Sequence, residues 1–381
     1  MRGRYSRAAW DDGAVPFGVY VHIPFCERRC DYCDFATWTD RAHLVDAYVD
    51  ACVVDLERRY LAAALPPATS VFFGGGTPSL LPAEALLRIL RSVPKEPGAE
   101  ITVECNPDTV DAAKLAAYAV GGVNRCSFGV QSMAPHVLAA LGRTHAPDNV
   151  VRGVEWARRA GIAQVNLDLI YGTPGESLDD WRSTLDATLA LEPDHVSAYA
   201  LTVEPGTPLG RAVALGERAA PDDDLQAEAY ATADEMLSAA GFAWYEISSW
   251  ARPGAPCRHN LGYWDGSDYL GIGCAAHGHT AGRRWWNVRT PERYVDAISS
   301  GRSPESGEEL LDSPARHEES RALALRTSMG IPREPALATT GAALTAEGLL
   351  TERDGHWVLT RRGRLLASEV STRLALGTMD C

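Results

Sequence analysis

The chain has 381 residues, of which 46% are hydrophobic and 23% are charged, and its formal net charge is −14. This composition is typical of a globular protein, and the length is sufficient for one large α/β domain and a smaller second domain. The acidic balance argues against nonspecific binding to nucleic acid or to anionic lipid.

The first residues do not resemble a targeting or membrane segment. Residues 1–13 mix Arg, Asp and Trp without an apolar stretch, so they predict no signal peptide. No run in the chain approaches the roughly 18 consecutive apolar residues of a membrane helix. We therefore expect a cytoplasmic protein.

Between residues 17 and 250, short β-branched or aromatic runs alternate with amphipathic stretches. This alternation predicts βαβ units with a parallel sheet. Six such units would form a partial (βα)6 TIM-like barrel, in which functional residues lie at the carboxyl ends of the strands. The predicted strands are 17–23, 70–73, 100–104, 125–131, 164–171 and 195–203, and the predicted helices include 42–64, 108–119 and 178–190.

The pattern changes after the sixth strand. Residues 204–224 are rich in Gly, Pro and Asp and predict a loop, followed by a helix at 225–240 and a strand at 243–249. Helices at 318–327 and 341–350 precede a hairpin at 350–360 that turns at Asp354-Gly355. These elements predict a small C-terminal α+β domain that is winged-helix-like. The acidic total favours a packing role for it, with no nucleic-acid partner.

We divide the chain into four parts on this basis. They are an N-terminal segment at 1–16, the barrel at 17–250, a connecting segment at 251–302 and the C-terminal domain at 303–381.

Three of the nine cysteines stand close together, at Cys26, Cys30 and Cys33. An odd, scattered set of cysteines in a chain of this size argues against a disulfide framework. Three thiolates on one loop can bind three irons of a cubane cluster, and no fourth cysteine occurs before Cys52. The fourth iron would stay open for a chelating molecule, such as the amino and carboxylate groups of S-adenosylmethionine (SAM).

A structural zinc site is the competing interpretation of these cysteines. It would require His22 or a distant residue as the fourth ligand. Zinc motifs usually present two paired knuckles, and the second knuckle is missing here. The spacing therefore favours a [4Fe–4S] cluster.

The segment from Tyr20 to Cys26, which reads Tyr-Val-His-Ile-Pro-Phe-Cys, resembles the radical SAM family in its oxygen-independent coproporphyrinogen oxidase branch. The resemblance extends over nearly the whole chain. It includes the glycine run that ends the second predicted strand, where the backbone can approach a ligand. The run is not a P-loop, because no Gly-Lys-Ser/Thr follows.

The resemblance implies a [4Fe–4S] cluster on the three cysteines and a SAM site at the strand ends. On residue type alone, each of these polar strand-end residues could equally be a cap or a loop hydrogen-bonding residue. The SAM-binding positions implied by the resemblance are Tyr20, Tyr32, Gly75, Gly76, Thr77, Glu104, Gln131, Arg143, Asp168 and Ala200.

Two departures indicate which member of the branch the chain resembles. Phe35 stands where the oxidases carry a fourth cysteine, and only 25 residues precede Cys26, where the oxidases have a long extension. Both features resemble the HemW-type heme chaperones. That resemblance implies a protein that binds heme and passes it to recipient hemoproteins such as membrane respiratory enzymes. It would be peripheral at the membrane during delivery, with a cluster and SAM that are structural or regulatory.

A second signature, HNxxYW from His259 to Trp264, is associated with heme handling in that family. Imidazole, thiolate and phenolate are the usual axial donors to heme iron. The heme candidates are therefore His259, Cys257 and Tyr263, with Trp264 stacking on the macrocycle, and His277 and His279 are further donors. A histidine beside asparagine can equally be a satisfied loop residue, and a Tyr-Trp pair can belong to a core. No Cys-x2-Cys-His run for c-type attachment occurs.

The alternative function is catalysis with SAM, which would require an electron donor. The chain would then be a coproporphyrinogen III dehydrogenase or a radical SAM methyltransferase. Phe35 and the short N-terminus disfavour the first enzyme, and the HNxxYW signature disfavours the second. Conventional oxidase activity is therefore not expected.

Overall fold

The computed structural model describes residues 16–376. The predictions of an N-terminal segment and of no signal peptide concern residues that lie outside this range. Cys381 also lies outside it. The strands are β1 Phe17–Ile23, β2 Ala68–Gly75, β3 Lys95–Cys105, β4 Arg125–Gln131, β5 Gln164–Tyr171, β6 His195–Ala200, β7 Ala243–Glu246, β8 Ser249–Ala251, β9 Asp268–Ile272, β10 His277–Thr280, β11 Arg283–Asn287, β12 Glu305–Leu310, β13 Ile331–Pro332, β14 Leu350–Arg353 and β15 His356–Leu359.

The helices occupy most of the sequence between these strands. They are α1 Val45–Ala63, α2 Ala83–Arg91, α3 Ala112–Val120, α4 Pro135–Ala140, α5 Pro147–Ala160, α6 Leu178–Ala190, α7 Pro208–Ala214, α8 Asp223–Ala239, α9 Arg258–Trp264, α10 Pro291–Ser299, α11 Ser313–Leu325, α12 Ala338–Ala346, α13 Arg361–Leu365 and α14 Ala367–Leu376.

Strands β1 to β6 lie side by side in chain order, and each pairs in parallel with the next. This arrangement confirms the predicted six-unit partial barrel. β1 and β5 are buried along most of their length, and β1 is almost continuously apolar, whereas β5 carries the polar Asn166 and Asp168. Local signals fix some helix ends, and α6 begins with a capping box between Ser177 and Asp180.

The sheet continues on both sides of the barrel strands. β9 pairs in parallel with β1, and β10, β11 and β12 follow as antiparallel strands. On the far side, β8 and β7 extend from β6. The connecting segment therefore lies beside β1, and α9 packs against β1 and β2. This placement brings the HNxxYW signature close to the cysteine loop.

Two predicted elements differ from the structure. The strand predicted at 243–249 is a hairpin of β7 and β8, because the chain turns back between Glu246 and Ser249. The loop predicted at 204–224 contains helix α7, which starts with the Thr207 cap followed by Pro208.

The C-terminal elements form a small α+β domain around their own core. Leu344, Trp357 and Val370 lie in a cluster separate from the barrel core. The predicted hairpin is confirmed as β14 and β15, and Asp354 and Gly355 both have positive φ, at 48° and 79°. Strand β12 belongs to the main sheet, so the separate core begins after it. Within the described range, no helix is long and apolar enough to cross a membrane.

Candidate functional site

The three clustered cysteines lie on the loop that follows β1. The amide of Cys26 donates to the carbonyl of Trp38 at 3.0 Å, and the amide of Trp38 donates to the carbonyl of Pro24 at 2.8 Å. At the middle of the loop, the amide of Asp31 donates to the carbonyl of Leu141 at 3.3 Å. These bonds hold the loop at the carboxyl ends of the barrel strands, and the three thiols are free and half-buried.

The surroundings of these thiols suit iron binding. Burial raises the pKa of the Cys26 and Cys33 thiols, so loading with iron must displace their protons. Two side chains donate hydrogen bonds to the sulfurs. Thr77 Oγ1 lies 3.7 Å from Cys26 Sγ, and Arg143 Nη1 lies 3.6 Å from Cys30 Sγ. Such hydrogen bonds from protein to cluster sulfur tune iron–sulfur centres.

The zinc interpretation lacks a free fourth ligand at His22. Between residues 16 and 376, no three His, Cys, Asp or Glu side chains are placed to hold one metal ion together. A tetrahedral zinc site needs its ligands around one point, whereas a cubane takes each thiolate on a different iron. His22, the nearby fourth ligand for zinc, has both ring nitrogens engaged, by Tyr20 at 3.0 Å and by the Ala36 carbonyl at 2.9 Å.

The glycine run after β2 is bonded directly to the cysteine loop. The amide of Gly76 donates to the carbonyl of Ile23 at 2.8 Å, and the amide of Thr77 donates to the carbonyl of Phe25 at 2.9 Å. The amide of Gly75 donates to Glu104 Oε2 at 3.1 Å. The run therefore sets the position of the loop relative to the barrel.

Replacing Gly76 with alanine is expected to displace the cysteine loop. The added Cβ would lie 2.7 Å from the Phe25 carbonyl oxygen and 3.0 Å from Cys26 Sγ. Because that carbonyl already accepts a backbone bond, it cannot move freely, and we expect a loss of about 1–3 kcal/mol in the free energy of unfolding together with a lower iron content. The control is Gly206→Ala, where the nearest atom, Asp34 Oδ1, would lie 3.9 Å from the added Cβ. Equal iron content in the two variants would contradict this prediction.

Glu104 and Asp168, two of the polar residues implied as SAM-binding, lie on β3 and β5 close enough for their charges to interact. Burial, together with the charge of Asp168, raises the pKa of Glu104 to about 8. Asp168 accepts hydrogen bonds from Ser127 and Asn166, both at 2.7 Å. A carboxyl whose folded-state pKa is raised destabilises the fold increasingly as the pH rises from its unfolded value to its folded value. A cationic ligand would reduce this effect, because it favours the ionised carboxylate.

The side chains of Gln131 and Arg143 both lie against Gly129, 3.0 and 3.4 Å from where a Cβ would stand. Arg143 Nη2 donates to the Gly129 carbonyl at 2.6 Å, and Gln131 adopts a positive φ of 66°. The Nε atom of Arg143 is buried without a hydrogen-bond partner in the described part of the chain. A buried unpaired guanidinium nitrogen is a donor that a ligand carboxylate would satisfy, so the residues present fit an amino acid ligand.

The other predicted SAM positions are placed less centrally. Tyr20 forms part of the β1 face and stacks on Phe72, with ring centroids 6.3 Å apart. Tyr32 packs against an apolar group that includes Val137 and Leu141. Ala200 is the last residue of β6.

An open cleft of about 360 Å³ lies next to the cysteine loop, between β1 and the added strands β9 to β11. Two predicted site residues, Tyr20 and Tyr263, line it, together with His277 and Phe35. The sequence did not predict the other wall residues as ligand contacts, and it indicated His22 only as a possible zinc ligand. They are His22, Asp34, Ala36, Tyr269, Ala275 and Arg289. Pairing of β9 with β1 brings these residues together, and this pairing cannot be predicted from a local pattern. Tyr269, an aromatic residue within the β9 sequence, was the one local indication of the cleft wall.

His259 lies behind the wall of this cleft. It is 4% exposed, and its Nδ1 lies 2.9 Å from Ser70 Oγ while its Nε2 lies 3.0 Å from the Tyr263 hydroxyl. Burial lowers its pKa to about 4, so the ring is neutral at physiological pH. Gly18 leaves room for the ring, since a Cβ there would lie 3.0 Å from it.

Two of the remaining heme candidates, Cys257 and Trp264, do not line the cleft. The thiol of Cys257 is buried and donates to Glu100 Oε1 at 3.4 Å. Trp264 stacks under the guanidinium of Arg326, 5.2 Å from the ring centroid, and so contacts the end of α11. Of the four candidates His259, Cys257, Tyr263 and Trp264, the structure brings only Tyr263 to the cleft.

The chain is similar to known proteins over nearly its whole length. The family described as the Radical SAM superfamily matches residues 20–188. A heme chaperone HemW from Mycobacterium tuberculosis is 46% identical over 377 residues, which cover 95% of each chain. The HemW heme chaperone of Escherichia coli is 36% identical and covers 93% of this chain and 97% of its own, and that of Bacillus subtilis is 33% identical and covers 92% and 97%.

Among solved structures, coproporphyrinogen III oxidase (HemN) from Escherichia coli, described as a radical SAM enzyme, has the same fold. Its TM-score is 0.82 at 22% sequence identity, over 96% of this chain and 92% of that chain.

Proposed function

This chain belongs to the HemW heme-chaperone family of radical SAM proteins, and on that premise we propose that it binds heme in the cleft beside its cysteine loop and passes the heme to recipient hemoproteins. Membership of the family implies a [4Fe–4S] cluster and SAM as cofactors. Membrane respiratory hemoproteins are the proposed recipients, with the chain at the membrane surface only during transfer. The segment 251–302 forms one side of the proposed heme site.

The observation that carries the proposal is that this cleft is open and combines aromatic side chains with a few polar ones. Phe35, two residues beyond Cys33, is 65% exposed at its edge. Exposed large aromatic side chains beside an open cleft are typical of ligand or partner sites. The cleft volume falls within the range of about 300–1,000 Å³ for small-molecule sites. Aromatic walls and a free arginine suit a flat macrocycle that carries carboxylates.

Cys26, Cys30 and Cys33 would hold the cluster in this proposal. An open iron of such a cluster coordinates the amino and carboxylate groups of SAM. Arg143 would pair with the carboxylate of SAM through its unpartnered Nε. Glu104 and Asp168 would attract the cationic groups of SAM. The backbone from Gly75 to Thr77 would border the methionine part of SAM. Tyr20, Tyr32, Gln131 and Ala200 would complete the surroundings of SAM.

Anaerobically reconstituted protein is expected to bind about one heme per chain, because the proposed site is a single cleft with room for one small-molecule ligand. With SAM and a reductant it should turn over little coproporphyrinogen III. Heme-loaded protein mixed with a heme-depleted respiratory enzyme should restore the heme absorbance of that enzyme. The measurements are a heme titration, product analysis and a transfer assay. Robust conversion to protoporphyrinogen would replace the chaperone proposal with the dehydrogenase alternative.

A further inference from the structure

We propose that His277 supplies the axial ligand to the heme iron in this cleft, and that Arg289 pairs with a heme propionate. The inference rests on the proposed heme-binding function and adds to it the residues that bind the heme iron and one propionate. It also gives the HNxxYW signature a different role, as the support of the cleft wall.

An iron ligand needs a donor atom that is free and faces the ligand. His259 and His22 line or support the cleft, but each has both ring nitrogens in hydrogen bonds. The Cys257 thiol is buried against a carboxylate, and the Tyr263 hydroxyl is engaged by His259. Binding iron through any of these residues would break an internal hydrogen bond and leave a buried polar group unpaired.

His277 meets both requirements. It lines the cleft with an exposed side chain, and within the described residues its ring nitrogens have no hydrogen-bond partner. His279, two residues further along the same strand, differs because its Nδ1 lies 3.5 Å from Asp268 Oδ1. A neutral imidazole with a free nitrogen is the commonest protein ligand for heme iron and other metals.

The backbone of His277 is held firmly in place. His277 pairs with Trp286 across β10 and β11, and the two rings are 5.9 Å apart at 31°. On the other side, Gly271 of β9 lies so close that a Cβ there would be 1.9 Å from the His277 carbonyl oxygen. The donor is therefore built on a rigid sheet, which limits the entropy lost on binding.

Arg289 is the second free group at the cleft. Arg283 and Arg284 on β11 are paired with carboxylates, Arg283 with Glu305 and Glu308, and Arg284 with Glu309 and Glu319. Arg289, exposed just beyond β11, lines the cleft and has no carboxylate partner in the described range. A guanidinium in such a position binds carboxylates in a bidentate manner.

The HNxxYW signature then acts through Tyr263. The rings of Tyr263 and Tyr269 meet edge to face at 4.8 Å, and both line the cleft. Behind them, His259 holds the Tyr263 hydroxyl and stacks on Phe72 at 5.2 Å. His259 is thus a positioning residue, and its loss should loosen the wall without removing the ligand of the iron.

The first test compares His277→Ala with the matched control His279→Ala by heme titration, with electronic absorption and EPR spectra. We expect His277→Ala to lose the histidine-ligated spectrum and to bind heme at least about tenfold more weakly, and added imidazole to restore the spectrum. His279→Ala and His259→Ala should keep the histidine-ligated spectrum, the latter with weaker binding. Cluster absorbance and far-UV circular dichroism check folding, and His277→Gln replaces the alanine variant if that variant does not fold.

The outcomes separate the inference from the proposed function. If the unmodified protein binds no heme, the proposed function fails, and the inference fails with it. If the unmodified protein binds heme and His277→Ala keeps its spectrum and affinity, only the inference is overturned. A spectrum that is lost in His259→Ala and kept in His277→Ala assigns the iron to the signature histidine instead.

The second test compares heme with heme dimethyl ester, which lacks the free carboxylates. Arg289→Gln is expected to weaken heme binding about tenfold while leaving the affinity for the ester unchanged. Arg293→Gln is the control, since Arg293 lies four residues further along and does not line the cleft. An equal loss of affinity for both ligands, or no loss for heme, would overturn the proposed propionate contact.

Discussion

Replacing Cys26, Cys30 or Cys33 with alanine is expected to abolish the cluster. Of the substitutions proposed for this protein, these should cause the largest loss of a cofactor. Iron content should fall from about four per chain to nearly none, and the visible absorbance of the cluster should disappear. Three thiolates would be the full protein ligand set in the proposed site, so the loss of one would leave two irons without a protein ligand. The measurements are iron and sulfide analysis after anaerobic reconstitution.

The matched control is Cys105→Ala, a buried cysteine on β3 that is away from the loop. It should keep its full iron content despite a modest loss of stability. Circular dichroism should show folded protein in all variants, because the loop is held by backbone bonds such as that between Cys26 and Trp38. A protein that binds one zinc and no iron after reconstitution would show that the cluster assignment is wrong.

Replacing Asp234 with alanine is expected to cause the largest loss of stability. Asp234 on α8 is 4% exposed and accepts hydrogen bonds from Trp250 at 2.9 Å and from Arg364 at 2.8 and 2.9 Å. Arg364 of the C-terminal domain is itself 5% exposed. Removing one partner of a buried ion pair leaves an uncompensated charge, so the free energy of unfolding should fall by about 3–5 kcal/mol.

The control for this prediction is Glu235→Ala. Glu235 neighbours Asp234 and pairs with Arg361 at 2.6 Å, but its side chain is 65% exposed. An exposed pair contributes less than about 1 kcal/mol, so urea unfolding should separate the two variants clearly. Similar losses in both variants would contradict the assigned role of burial.

The same ion pair predicts a dependence of stability on pH. Burial alone would raise the pKa of Asp234, but the hydrogen bonds and charge of Arg364 outweigh it, so the pKa is lowered. A carboxyl with a lowered folded-state pKa stabilises fully above its unfolded value and loses that contribution as the pH falls through the folded value. The difference in unfolding free energy between the protein and Asp234→Asn should therefore shrink below about pH 4. Parallel pH profiles would refute this.

Elements with strong local signals could be predicted from the sequence. The bounds of β1, β4, β5 and α6 agree with the predicted ranges, because hydrophobic period and caps are local properties. The Asp354-Gly355 turn was equally clear. The hairpin of β7 and β8 could not be predicted, since a short apolar segment has the same sequence pattern whether it forms one strand or turns back as a hairpin.

The sequence by itself determined the cysteine loop, the barrel that carries it and the family to which the chain belongs. These depend on spacing and on patterns within single segments. Tertiary structure alone decided where the HNxxYW signature points. Its histidine bonds to Ser70, which is 189 residues away, and is therefore turned into the wall. The pairing of β9 with β1 then places His277 and Arg289 at the cleft. Such contacts between distant segments depend on packing of the whole sheet, which no local pattern records.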